Sequence, residues 1–150
     1  MIRPVEYKDV EACISLGYLM HQESHYRFLN YNAVKIVNLI ERSKTNPDSV
    51  CIFVAEKDEE IIGFFVGLKT EYWFSDDSMT CDLVMYVKPE HRGCTAAPRL
   101  IKAYETWASG LDVKEINIGT STDVNSERTI GLYKRLGYST ASYSFRKRSQ

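Results

Sequence analysis

With 150 residues, 44% of them hydrophobic and 26% charged, the chain has the size and composition of one globular domain with a real core. Those values exclude a disordered, collagen-like or membrane-spanning protein, and a formal net charge of -1 offers no bulk attraction for nucleic acid. The start, Met1-Ile2-Arg3-Pro4-Val5, lacks a secretory apolar stretch and no apolar run reaches spanning length, which predicts a cytoplasmic protein without membrane contact and with reduced thiols.

In chain order, Ile2 to Val5 reads as a short strand. Val10, Ala12-Cys13-Ile14, Leu16-Gly17 and Leu19-Met20 follow at helical spacing, with Asp9 as a possible cap. A second helix runs through Val34, Ile36-Val37 and Leu39-Ile40, and Asn46-Pro47-Asp48 ends it. Val50 to Ala55 and Ile61 to Leu68 form a hairpin around Asp58-Glu59-Glu60. After a turn at Tyr72-Trp73-Phe74-Ser75-Asp76-Asp77-Ser78 comes a strand ending at Val87. Then follow a helix from Ala96 to about Ser109, a strand Glu115 to Gly119, a helix Ser126 to Leu136 and a last strand Tyr138 to Phe145. A meander followed by strand-helix-strand-helix-strand predicts an α/β layer structure whose sheet is partly antiparallel.

The most telling stretch is Val87-Lys88-Pro89-Glu90-His91-Arg92-Gly93-Cys94-Thr95-Ala96-Ala97-Pro98, where a strand passes through a small-residue turn into a helix. The first helical N–H groups have no intrahelical acceptor and, with the positive end of the helix dipole, form an anion site. Pro98 suits the first turn of a helix, and Ala96 and Ala97 let a ligand approach the backbone.

Of the four cysteines, Cys13, Cys51 and Cys81 sit in apolar contexts and read as small core residues. Cys94 lies in the turn, where a helix N-terminus can lower a thiol pKa, but nothing near it completes a nucleophile-base pair. No cysteine spacing reads as a zinc site. His21 and His25 are four apart with no third ligand evident, so no metal is expected. The basic tail Arg146-Lys147-Arg148 reads as a solvated end.

Two segments together resemble the GNAT superfamily of acyl-CoA-dependent N-acetyltransferases. One is Val87-Lys88-Pro89-Glu90-His91-Arg92 with the turn Arg92 to Ala97. The other is Asn125-Ser126-Glu127-Arg128-Thr129-Ile130-Gly131-Leu132-Tyr133-Lys134-Arg135-Leu136-Gly137-Tyr138, similar to the family's asparagine and helix ending Leu-Tyr-x-x-Leu-Gly-Phe/Tyr. The wording of both segments is also similar to small GNAT proteins of bacteriophages. The resemblance implies an α/β single domain with a mixed, partly antiparallel sheet of about six or seven strands flanked by helices. It also implies acetyl-CoA as co-substrate, an amine acceptor that is a small molecule or a protein, and a homodimer. Arg92, Gly93, Cys94, Thr95, Ala96 and Ala97 would cradle the CoA pyrophosphate. Met85, Tyr86 and Val87 would line a splayed strand that takes the pantetheine arm, with Asn125 and Tyr133 completing the cofactor site. One position departs from the motif: Thr95 stands where the family has a glycine, and a β-branched residue does not readily adopt positive φ. The alternative is a GNAT-like module that binds CoA or a protein without catalysis.

Acetyl transfer to an amine requires a neutral nucleophile, oxyanion stabilisation and a proton for the leaving thiolate. An amine of pKa about 10.4 needs a carboxylate to take its proton, and Asp82 and Glu71 are the candidates, each also readable as a solvated surface group. A backbone N–H near Met85 or Tyr86 would meet the oxyanion, and Tyr133 would serve as the acid. The acceptor is expected among Glu23, His25, Tyr26, Tyr31 and Trp73, where aromatic faces beside a carboxylate suit a cation; the same aromatics also suit packing between helices or a dimer contact.

Overall fold

Val50–Lys57 (β2) and Glu60–Glu71 (β3) form the hairpin on which the other elements assemble, joined by Asp58 and Glu59 in the left-handed turn conformation that matches strand twist. The remaining elements are β1 (Ile2–Pro4), α1 (Val10–Glu23), α2 (Ala33–Thr45), β4 (Ser78–Val87), α3 (Ala96–Ser109), β5 (Glu115–Ile116) and α4 (Ser126–Arg135). The structure, a computed structural model, describes residues 1–122 and 124–149. The sheet order is β1-β2-β3-β4-β5, antiparallel throughout except for the parallel pair β4-β5.

Both faces of the sheet are covered, which explains why Ile61 to Gly67 is buried without a break. Ile52, Val54, Phe64 and Val66 pack with Leu16 of α1 and Ile40 of α2 on one face. Cys51, Ile62 and Phe65 pack with Leu100, Ile101 and Tyr104 of α3 and Tyr133 of α4 on the other. On α3 the buried residues Ala96, Leu100, Tyr104 and Ala108 recur every four positions, a stripe aimed at the sheet. At the N-terminal edge, Arg3 grips buried Asp9 with two bonds of 2.8 and 2.9 Å and ties β1 to the start of α1.

Two features depart from expectation. Among the described residues the sheet has five strands, and Tyr138 to Phe145 does not form one. Gly137, at φ +98, ends α4 in the left-handed region. The strand that would have received the tail, β5, pairs over only two residues before Gly119 bends to Asp82, so it offers no continuous edge.

Tyr104 decides how β5 sits. Its fully buried hydroxyl donates to the Asn117 carbonyl at 2.7 Å and accepts from the Thr80 hydroxyl at 2.9 Å. A Cβ at Gly67 would stand 2.9 Å from the same ring, so glycine is required beneath it. Tyr104→Phe leaves the buried Thr80 hydroxyl and the partly buried Asn117 carbonyl short of a partner and should cost about 1–3 kcal/mol, read as a lower urea midpoint at unchanged slope.

Candidate functional site

β4 and β5 pair through Met79 with Glu115 and Thr80 with Ile116, the Asn117 N–H adds a bond to the Thr80 carbonyl at 2.9 Å, and no further ladder pair follows among the described residues. β4 is also irregular on its other side: Val66 faces Val84 while Gly67 faces Asp82, so Leu83 is an extra, bulged residue. A bulge beside a splay turns backbone donors out of the ladder and into the opening. Met85, Tyr86 and Val87 then line a cavity of about 230 Å³ together with His91, Arg92, Gly93, Cys94, Ala97, Asn125, Arg128 and Arg135, among others. Thr95, Ala96 and Tyr133 are not in that lining; Ala96 and Tyr133 belong to the core behind it.

The turn answers the question raised by Thr95. The positive φ falls on Gly93, at +90, while Thr95 lies at -84 and needs no glycine. Thr95 makes no side-chain cap; instead the Cys94 sulfur accepts from the Ala96 N–H at 3.4 Å. Cys94 is exposed, whereas burial pushes Cys13 up to about 11 and Cys51 up to about 12.

Arg92 does more than border the turn. Its Nε donates to the Val87 carbonyl at 2.9 Å, both terminal nitrogens reach the Glu23 carboxylate, one at 2.8 Å, and the guanidinium carbon lies 5.3 Å from the centre of the Tyr86 ring. Tyr86 donates to the same carboxylate at 2.8 Å. The Arg92 guanidinium, helped by Tyr86, holds Glu23 below the usual carboxylate range. Three of the five Arg92 N–H groups are thus engaged in bracing α1 against β4. The cation that leans over the turn is Arg128, from the first turn of α4: a Cβ on Gly93 would meet its Nη2 at 3.0 Å. Asn125 starts that helix in the left-handed conformation at φ 52, without a side-chain cap, and lines the cavity. Glycine at 93, helix N-terminal N–H groups and Arg128 suit a phosphate group.

Asp82 and Tyr133 meet at one residue. The Gly119 N–H donates to the Asp82 carboxylate at 2.8 Å, and the Gly119 carbonyl accepts from the Tyr133 hydroxyl at 2.9 Å. Burial pushes Asp82 up to about 6, into the range where a carboxylate can take or release a proton near neutrality. Burial first, and then the Asp82 charge, hold Tyr133 well above the usual tyrosine range, so it stays a protonated donor.

Glu71 and Trp73 lie elsewhere. Glu71 faces Ser78 at the far end of the β3–β4 hairpin, seven residues or about 23 Å along β4 from Met85, and Trp73 is 95% exposed beyond it. Tyr31 donates to the Ile14 carbonyl at 2.8 Å and packs against α1. His21 is also structural, with Nε2 2.8 Å from the Leu29 carbonyl. His25 and Tyr26 stand in a 3-10 segment, His25–Phe28, directly after α1, and the His25 N–H donates to the Thr122 carbonyl at 2.7 Å. Among the described residues no three metal-ligating side chains cluster, and no helix is long and apolar enough to cross a membrane.

A model of the acetyltransferase (GNAT) family matches residues 17–138. The chain belongs to the GNAT family of acetyltransferases. No curated protein matches the sequence. Among solved structures, this GNAT chain is similar to the aminoglycoside N-acetyltransferase AAC(6')-Iy solved with the bisubstrate analogue CoA-S-monomethyl-acetylneamine, at TM-score 0.77 and 18% identity over 100% of this chain and 97% of that one. It is similar to a ribosomal-protein-alanine N-acetyltransferase from Brucella melitensis biovar Abortus 2308 at TM-score 0.74 and 16% identity, over 99% of both chains. An acetyltransferase from Vibrio fischeri aligns at TM-score 0.64 and 26% identity, over 79% of this chain and 93% of that one. Arg128, Arg135 and Gly119 were absent from the sequence-level candidates. Nothing in the linear pattern says that the start of α4 leans over the start of α3; only the helix-initial position of Arg128 hinted at an anion role.

Proposed function

We propose that this GNAT enzyme transfers the acetyl group of acetyl-CoA to a primary amine by direct attack on the thioester. The observation that carries the reading is the pairing of Asp82 and Tyr133 across Gly119, where the β4–β5 ladder has ended, with Tyr133 in the same core cluster as Ala96 at the start of α3. Asp82 receives the proton of the attacking ammonium, directly or through water, leaving it nucleophilic. A β4 N–H near Met85 stabilises the oxyanion. The sulfur leaves as a thiolate and takes a hydrogen bond and then the proton from Tyr133, while the second proton of the attacking nitrogen passes to solvent as the amide forms and solvent reprotonates Tyr133. Because Tyr133 is held above its usual range, most of its effect comes from the hydrogen bond as charge develops. The pyrophosphate is met by Gly93 and the first N–H groups of α3, with Arg128 supplying the charge and Arg92 holding the turn. The non-catalytic alternative loses its main support, since Thr95 causes no strain in the turn.

Isothermal titration with acetyl-CoA tests the cofactor half: micromolar binding is expected, and no binding at all would refute it. Arg128→Gln should weaken that binding about tenfold, with a smaller effect on pantetheine, which lacks the phosphates. Equal losses for both ligands would remove Arg128 from phosphate recognition.

A further inference from the structure

The last residues of the chain do not simply trail into solvent. Residues 139–149 are exposed and form no helix or strand, yet the two terminal arginines have definite seats. Arg146 donates from Nη1 to the Ser121 carbonyl at 3.0 Å and places its guanidinium carbon 5.9 Å from the centre of the Tyr26 ring. Arg148 lies over Phe28 at 3.7 Å. Tyr26 and Phe28 belong to the 3-10 segment that follows Glu23. The His25 ring stands edge-on to both, at 5.4 and 5.7 Å, so that the three rings form one shelf. Ser24 holds it in place by accepting from the Tyr26 N–H at 3.1 Å.

The shelf adjoins the reacting groups. Ser121, whose carbonyl takes Arg146, is two residues from Gly119, the residue that Asp82 and Tyr133 share, a reach of at most about 7 Å. Thr122, the next residue, is bonded to His25. Loop, shelf and tail therefore converge where an amine must enter to reach Asp82. Glu23, the carboxylate expected to hold a cationic acceptor, is instead engaged by Arg92 and Tyr86, and among the described residues the aromatic faces of Tyr26 and Phe28 and the Ser121 carbonyl are groups that meet positive charge here.

We propose that Tyr26, Phe28 and the Ser121 carbonyl form a cation-receiving shelf on the acceptor side of the site, occupied by the chain's own Arg146 and Arg148 until an acceptor carrying at least two separated positive charges displaces them. The inference rests on the N-acetyltransferase reading for its reaction but not for its binding. One ammonium group, deprotonated by Asp82, is the nucleophile; another stays charged and takes the place of an arginine. A monoamine gains nothing from the shelf. The C-terminal tail is then an internal competitor whose removal opens the site to polyamines.

The test compares spermidine with n-butylamine on the parent protein and on R146Q/R148Q, by titration in the presence of desulfo-CoA and by steady-state acetylation, at 0.15 M salt to screen diffuse charge. A control, K35Q/K102Q, removes two exposed lysines and gives the same net charge. R146Q/R148Q should bind spermidine and lower its KM by about fivefold or more, with butylamine unchanged and the control like the parent. R146K/R148K should return the KM toward the parent value, because lysine also sits on aromatic faces. Equal spermidine affinity in parent and R146Q/R148Q would overturn the competition, and no preference for spermidine over butylamine would overturn the shelf. Spermidine binding that follows the tail without any acetylation would preserve the shelf and refute the catalytic reading.

Discussion

Tyr133→Phe lowers turnover about a hundredfold while acetyl-CoA binding stays within about twofold of the parent. The hydroxyl is buried and donates to the Gly119 carbonyl at 2.9 Å, so phenylalanine fits the same space and the residues that line the cavity beside the Gly93 turn keep their places. What disappears, on the proposed mechanism, is the donor for the departing sulfur. A purely structural tyrosine would give a different pattern: a lower melting temperature, with kcat and KM both near the parent. The distinguishing measurement is the dependence on leaving group. If Tyr133 assists the thiolate, the defect shrinks for acyl donors whose thiols are more acidic, since these need less help. A defect of constant size across donors would assign Tyr133 to positioning of Gly119 alone. Some loss of stability, about 1 kcal/mol or less, accompanies the substitution in either case because the Gly119 carbonyl loses its hydrogen bond to Tyr133.

Asp82→Asn has two opposite effects. Turnover falls by about a hundredfold or more, because the amide cannot accept a proton from the acceptor amine. Stability rises at pH 7. Asp82 is pushed up to about 6 by burial, whereas an unfolded aspartate titrates near about 3.9. Between those values the folded chain holds the proton that the unfolded chain has lost. The contribution of Asp82 to stability therefore grows as pH falls from about 6 toward about 4, and above 6 the folded state carries the full cost of a partly buried carboxylate. Asparagine removes that cost, about 1–2 kcal/mol, and its carbonyl oxygen still accepts from the Gly119 N–H. In the parent enzyme the low-pH limb of kcat/KM should track a group near about 6. Melting curves from about pH 3 to pH 8 check the other half: the gain of the variant should be largest at pH 8, about half as large at pH 5 and near zero by about pH 3. A kcat within threefold of the parent would send the search for the base elsewhere.

Glu71, the other carboxylate considered, differs from Asp82 only in tertiary placement. Both sit on strands beside apolar residues, and nothing in the linear pattern separates them. Register does: Glu71 pairs with Ser78 at the hairpin end, and Asp82 lies beside the Leu83 bulge where β5 departs. The same reasoning applies to Glu23. An acidic residue among aromatics suits an amine, but the fold brings Arg92 to it from 69 positions away and satisfies it internally.

By itself the amino-acid order determined the elements with strong local signals. The α1 and α3 periods, the β2–β3 hairpin, the strand-turn-helix at Val87 to Ala96 and the Tyr133 helix are all written in near-neighbour spacing, because side-chain period and turn chemistry act over a few residues. It also determined the family, since two motif segments at the proper separation are more specific than either alone. Tertiary structure alone decided the rest: that Gly93 and not residue 95 takes the positive φ, that Arg128 leans over the turn while Arg92 braces it, that Asp82 and Tyr133 meet at Gly119, and that the basic tail lies on aromatic rings. It also decided that Tyr138 to Phe145 remains outside the sheet. A strand requires a partner edge, and edges, like ion pairs and buried carboxylates, are made by contacts between residues far apart in the chain.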